Sequence, residues 1–321
     1  MLEHTQHDKS IATITPFSNN AEICSFPLYC QSNELPDGYT VDDVDALFAE
    51  LEGSLIDVPT GVGFCMFIAR AALDDVGYFD EETFGRGYGE ENDFCQRAAK
   101  RGWRNTTCTN VFVFHAGGVS FSSEKFDRVN NAMRLLDSKH PNYHADIQKH
   151  LALDPERKIR NAIQIKLLQK DKRPKVLAIG HGLGGGVVKH IHELGGGLEN
   201  QCIQLFLKPV DDLWLELSCN QKGFDIVLYF ERSDYSDLVK LITSVPVSRL
   251  HWHHTMGYRF TEIENLMQLN IPMWATIHDY YWIGGNPTLT DVTGIFAADL
   301  VNRDEECTRS YPLPFDATLI E

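Results

Sequence analysis

The stretch "KVLAIGHGLGGGVVKHIHEL" (Lys175–Leu194) runs from an apolar segment through a cluster of glycines into a helix-forming segment. Strand, glycine turn, helix is the opening unit of a parallel α/β layer. The same alternation continues downstream. "CIQLFL" (Cys202–Leu207) and "FDIVLYF" (Phe224–Phe230) read as strands, and "DYSDLVKLITSV" (Asp234–Val245) as a helix. "VSRLHWHH" (Val247–His254), "RFTEIENLMQL" (Arg259–Leu269) and "PMWATIH" (Pro272–His278) then read as strand, helix and strand. This half of the chain is therefore expected to be a parallel sheet wrapped by helices, with ligands beyond the C-terminal strand ends. Gly180, Gly182 and Gly185 make a literal GxGxxG, but the next strand runs into Lys208-Pro209 without the acid that holds a ribose. The glycines fit better as a turn that opens a helix N-terminus to phosphate or sugar.

The 321 residues are enough for about two domains. A formal net charge of −16 excludes a binder of nucleic-acid backbones, because nothing like a basic stripe offsets it. Eight cysteines without a CxxC pair point to reduced thiols, not to a disulfide framework or a zinc ribbon. The N-terminus lacks the basic-then-apolar layout of a signal peptide, and no run is long enough to span a membrane. The cytoplasm is the expected location.

Upstream, "DPERKIRNAIQIKLLQKDKRPK" (Asp154–Lys175) repeats its apolar positions every four residues, at Ile159, Ile163 and Leu167. It reads as a linker helix over 154–174, dividing a domain at 1–153 from one at 175–321. The first domain opens with a loop-rich region holding a helix over Val41–Leu51. Asp43-Val44-Asp45 in that helix matches the DxD metal pattern literally, but it opens an amphipathic helix and is expected to cap it. A strand near Val62–Ile68, a short helix to Gly77 and a longer helix within "GRGYGEENDFCQRAAKRGW" (Gly85–Trp103) follow. A buried strand over Val111–His115 and further helices complete the domain.

The longer helix carries three acids, Glu90, Glu91 and Asp93, in its first turn. At about 100° per residue, Phe94, Cys95, Ala98, Ala99 and Gly102 form a small apolar stripe. Glu91 falls in the middle of that stripe, Glu90 on its flank and Asp93 nearly opposite, where a solvated acid complements the helix dipole. A carboxylate turned toward the protein is desolvated or lines a cavity, and both suit a general base. Gly85, Gly87 and Gly89 leave a ligand room to approach. The residues alone leave a second reading open, in which Glu91 caps the first-turn amides. His115, at the end of its strand beside glycines, is either a ligand-site histidine or a core one held by the backbone. His251, His253, His254, His278 and Asp279 suggest zinc by residue type, without the helical HExxH pair that marks many zinc sites.

"TPFSNNAEICSFP", "PTGVGFCMFIAR", "VGYFDE", "FGRGYGEENDFCQRAAKRGW" and "VFVFHAGGVSF" occur in order between Thr15 and Phe121. Together they resemble the acceptor-side half of a family 2 glycosyltransferase of GT-A fold. The resemblance implies inverting transfer from a nucleotide sugar to a glycan acceptor. It makes Glu91 the catalytic base, with Glu90 and Gly89 beside it in the binding site. It also makes His115 a metal ligand, with Mn²⁺ or Mg²⁺ neutralising the departing diphosphate. The family's nucleotide-binding half, with its own DxD, is expected to precede the first residue, so the chain is expected to begin mid-domain.

"GLGGGVVKHIHEL", "HWHHTMG" and "TIHDYY" are similar to the N-terminal domain of family 4 glycosyltransferases of GT-B fold. There the glycine loop, here Gly184, Gly185 and Gly186, approaches the donor phosphates, and His278 lies near the cleft. Where that family often carries Cys-Pro, this chain has Gly284-Gly285. The combined expectation is α/β: a partial GT-A domain joined to a Rossmann-like parallel-sheet domain of GT-B type. Such a chain is part of a bifunctional enzyme of surface polysaccharide synthesis, with room for peripheral association with the inner membrane. Two other readings are a carbohydrate-binding or scaffold protein without donor sites, and a metal-dependent hydrolase built on the histidines.

Overall fold

A computed structural model describes residues 1–85, 88–116, 123–221, 223–284, 287–289 and 295–296. The chain is mixed α/β and divides into two compact units, Met1–Ile163 and Gln164 onward. The division falls inside the helix expected as a linker.

Unit 1 runs α1 (Leu2–His7), β1 (Ile11–Phe17), α2 (Val41–Ala49), β2 (Leu55–Asp57), β3 (Phe67–Ile68) and α3 (Arg70–Val76). It continues with α4 (Glu81–Phe84), α5 (Glu90–Lys100), β4 (Arg104–Phe112), α6 (Ser123–Lys139) and α7 (Tyr143–Leu153), then enters α8 (Arg157–Lys170). Its sheet has the order β2-β4-β1-β3, with β4 parallel to β1 and the outer strands antiparallel to their neighbours. Every residue of β1 is buried. Ile11, Ile14 and Cys108 form one apolar layer, while Ala12 packs with Ala72, Val76, Phe94 and Ala98 beneath α3 and α5. Phe17, Phe26, Phe48 and Phe112 hold α2 to the sheet, with ring centres 5.1–6.2 Å apart.

Asp43 closes a capping box with Thr40: the Asp43 amide donates to Thr40 Oγ1 (3.2 Å) and Asp43 Oδ2 accepts from the Thr40 amide (2.9 Å). Asp45 Oδ1 accepts from the Phe112 amide at 2.9 Å. The DxD lookalike is thus helix and sheet structure. The expected strand at 62–68 shrinks to Phe67–Ile68, and the one expected at 111–115 is β4, which starts at Arg104. Its front half, "RNTTCT", looks polar, yet Thr106, Thr107 and Thr109 are buried. Thr106 Oγ1 donates to the Thr13 carbonyl (2.8 Å), and Asn105 Nδ2 to the Cys95 carbonyl (3.0 Å). Threonine's β-branched shape fits a strand, and the Thr106 and Thr109 hydroxyls are satisfied by backbone carbonyls, whereas Thr107 Oγ1 is buried without a partner.

Unit 2 contains β5 (Lys175–Ile179), α9 (Gly185–Gly197), β6 (Ile203–Pro209), β7 (Trp214–Gln221) and β8 (Phe224–Glu231). After these come α10 (Ser236–Ser244), β9 (Val247–Trp252), α11 (Phe260–Met267), β10 (Met273–Ala275) and α12 (Tyr281–Gly284). The sheet order is β10-β9-β5-β6-β7-β8. β10, β9, β5 and β6 are parallel, whereas β7 and β8 are antiparallel to their neighbours, so the expected all-parallel sheet is mixed. The difference comes from β7. Its alternation of buried Leu215, Leu217 and Cys219 is a strand period that the sequence reading passed over. Asp211 Oδ1 accepts from the Leu213 and Trp214 amides (2.7 and 2.9 Å) and turns the chain back, a short reversal that only an antiparallel pair accepts.

Candidate active site

The first turn of α5 is set by Gly89, its N-cap, which has φ +93° and ψ −17°. A Cβ there would stand 2.9 Å from Phe84 Cδ1 and 3.2 Å from Ala132 Cβ. Left-handed backbone and close approach both demand glycine. Gly89→Ala is expected to cost about 2 kcal/mol and to loosen the first turn. Thermal unfolding monitored by amide protection of α5 checks this.

Glu91, in that first turn, is half-buried. Burial pushes its carboxyl above the ordinary range and neighbouring Glu90 adds to the rise, while the amides of Glu91, Gly89 and Asn92 offset part of it. Glu91 thus touches the first-turn amides while desolvation still prevails. Across from it lies the segment Thr60–Phe64. Thr60 Oγ1 donates to Asn92 Oδ1 (2.7 Å) and the Gly61 amide to Cys95 Sγ (3.2 Å), which pins the segment to α5. A Cβ on Gly63 would lie 3.5 Å from the Glu91 carboxyl carbon. Glu90 is also half-buried, and its Oε2 is enclosed with no hydrogen-bond partner.

Phe64, the residue after Gly63, stacks on His115 with ring centres 4.9 Å apart and planes 9° apart. One short segment thus contacts both Glu91 and His115. His115 does not end a strand; it follows β4 by three residues and is held by the backbone. Its amide donates to Asn19 Oδ1 (2.7 Å), and its Nδ1 lies 2.7 Å from the Asn20 carbonyl. A carbonyl only accepts, so Nδ1 is the donor in this contact. Among the described residues no group of three His, Cys, Asp or Glu could hold a metal ion. His115 alone does not make a Mn²⁺ or Mg²⁺ site. Gly87, the glycines after Ala116, Gly285 and the segment from Asp299 onward lie outside the described residues.

Asp93 is not the solvated acid its wheel position implied. It is 0% exposed and accepts from Arg97 Nε (2.7 Å) and His140 Nε2 (2.8 Å), with Lys139 Nζ 3.1 Å away. The wheel assumed one buried face, but α5 packs on the sheet and also on α6. Ala99 and Gly102, assigned to the buried stripe, are exposed.

In unit 2, Gly184 (φ +77°) caps α9 and Gly185 has φ +74°. Cβ atoms at Gly184, Gly185 and Gly186 would meet nothing within 4 Å, so the front of α9 is open. Gly180 is different: its Cβ would stand 3.0 Å from Ile191 Cδ1, so it serves helix-on-strand packing. His278 follows β10, and its Nε2 lies 3.1 Å from Nδ1 of His253. His254 Nε2 lies 3.4 Å from Asp279 Oδ2. The histidines noted in the sequence do meet, joined by His190 of α9, which the sequence reading missed. Its only signal was its place inside a glycine-led helix. No family model, curated protein or solved structure matches the chain. Among the described residues no helix is long and apolar enough to cross a membrane.

Proposed function

We propose that unit 1 is the acceptor-side half of an inverting glycosyltransferase of GT-A type, and unit 2 the N-terminal half of a GT-B glycosyltransferase. The observation that carries this reading is Glu91: a half-buried carboxylate in the first turn of α5, raised by burial and facing Gly63, which presents no side chain to it. In the reaction, Glu91 takes the proton from an acceptor hydroxyl as that oxygen attacks the anomeric carbon of a nucleotide sugar. The bond from that carbon to the nucleoside diphosphate breaks, with inversion at the carbon. Glu90, adjacent in the chain and with one carboxyl oxygen unpartnered, orients the acceptor. The open front of α9, at Gly184, Gly185 and Gly186, offers backbone amides to a donor phosphate, with His278 as the polar side chain of that region. Assembly of a glycan on the cytoplasmic side is the setting this chemistry fits.

A metal belongs to the resemblance, and no step here runs through one. The test is consumption of a panel of nucleotide sugars, with and without glycan acceptors, by wild type and Glu91→Gln. Turnover lost in the variant supports the reading. Turnover that survives removes Glu91 as the base. Glycan binding without any turnover favours a carbohydrate-binding protein.

A further inference from the structure

Gly61, Gly63 and Gly89 lie beside α5, and the first and last are glycine for structural reasons. Gly89 has a left-handed backbone, and a Cβ on buried Gly61 would collide with Met66 Sδ and Thr15 Oγ1. Gly63 answers to neither constraint. Its φ lies outside the left-handed region, it is exposed, and a Cβ there would make only ordinary contact. The three heavy atoms nearest to that Cβ all belong to Glu91: Cδ and Cγ at 3.5 Å and Oε1 at 3.7 Å. A side chain at 63 would cover the carboxyl of Glu91, and glycine leaves it uncovered.

Contacts on both sides fix where Gly63 stands. Before it, Thr60 is tied to Asn92, the Gly61 amide to Cys95 Sγ, and the Val62 amide donates to Thr15 Oγ1 at 3.3 Å. After it, Phe64 stacks on His115. The segment is thereby held in one register, so the bare α-carbon stays aligned with the carboxyl, as a site built on supported elements requires. Exposed Gly63 next to half-buried Glu91 also places the boundary between solvent and this carboxyl at residue 63.

We propose that the gap at Gly63 is the port through which an acceptor hydroxyl reaches Glu91, which makes residue 63 specificity-determining. The proposal rests on the reading of Glu91 as the base. Proton transfer needs the hydroxyl oxygen within about 2.6–3.2 Å of a carboxylate oxygen. A methyl group 3.7 Å from Oε1 takes up part of the space that this oxygen and the carbon bearing it would fill. Water needs less of that space than a sugar hydroxyl on its ring carbon. A side chain at 63 therefore discriminates against a glycan acceptor before it discriminates against water.

The test has two arms, both on the full chain as wild type, Gly63→Ala and Gly63→Val. In the first, carboxyls are amidated with a water-soluble carbodiimide and glycinamide, and labelling of Glu91 is read by peptide mass spectrometry against exposed Asp42. Glu91 should label in wild type, less in Gly63→Ala, and not at all in Gly63→Val. In the second, transfer to glycan acceptors and hydrolysis of the nucleotide sugar are measured together. The ratio of transfer to hydrolysis should fall about 10²-fold in Gly63→Ala, the usual cost of misplacing a reactant by an ångström. Melting temperatures should hold or rise, because alanine restricts the unfolded chain at a position whose backbone accepts it. Glu91 unlabelled in wild type, or labelled equally in Gly63→Val, overturns the port. Turnover with an unchanged ratio overturns the specificity role and leaves Glu91 as the base. No turnover by wild type overturns the glycosyltransferase reading itself, and the labelling then still decides whether Gly63 is the way in to Glu91.

Discussion

Glu91→Gln is expected to lower sugar transfer by about 10²–10⁴-fold, the usual worth of a positioned general base, without lowering stability at pH 7. Glutamine keeps the shape and the contact with the first-turn amides and removes only proton acceptance. The stability half of the prediction follows from the direction of the Glu91 shift. A carboxyl whose folded value lies above its ordinary 4.5 binds protons more readily in the folded state. Stability therefore falls as pH rises from the ordinary value through the raised one, and at pH 7 the charged group is a small liability that glutamine removes. Donor turnover and melting temperature, measured on the same samples, separate this from a folding defect. A large loss of activity together with a large loss of stability would make Glu91 a structural residue. The pH dependence is a further check: activity should rise with pH through a limb displaced upward from 4.5, and that limb should vanish in the variant.

What could be read without coordinates follows the physics of each signal. The strand–glycine–helix run at Lys175–Leu194 is strong because an apolar strand, open glycines and a helical period agree, and β5 and α9 lie there. β7 was passed over because its alternating face is interrupted by Trp214, Glu216 and Ser218, so only the period of two betrays it. The half-burial of Glu91 was legible from its wheel position, which is a local property. Asp93 was not, because its partners Lys139 and His140 lie some 46 and 47 residues away in sequence, and no local pattern encodes them. The histidine cluster of unit 2 shows the same divide. His251, His253 and His278 fall at neighbouring strand ends, which strand order hints at, while His190 arrives only through the packing of α9.

That long-range network makes Asp93 the residue with the largest expected effect on stability. Its carboxylate is fully enclosed, and three cationic or N–H donors converge on it: Arg97, Lys139 and His140. His140 is braced in turn, its Nδ1 accepting from Lys100 Nζ at 2.9 Å. Arg97 also reaches the carbonyls of Val76 and Tyr78 (both 2.8 Å), so one acid ties α5, the end of α3 and the α6 terminus together. Replacing a well-packed apolar residue by such a group gains little, but deleting one member of a buried set strands the others. Asp93→Ala is expected to destabilise unit 1 by about 3–5 kcal/mol. That corresponds to a fall in melting temperature of about 10 °C. Amide exchange should rise in α5 and β4 while protection of β5, β6 and β9 in unit 2 stays as it was. Burial alone would raise the Asp93 carboxyl, but the bonds from His140, Arg97 and Lys139 outweigh it and hold the group below the ordinary 3.8. The contribution is therefore fully present above that value and is lost as pH falls through the lower folded one. Wild type and Asp93→Ala should differ most near neutrality and converge in acid. Equal stability of the two at pH 7 would mean that the network contributes specificity of packing and no net free energy.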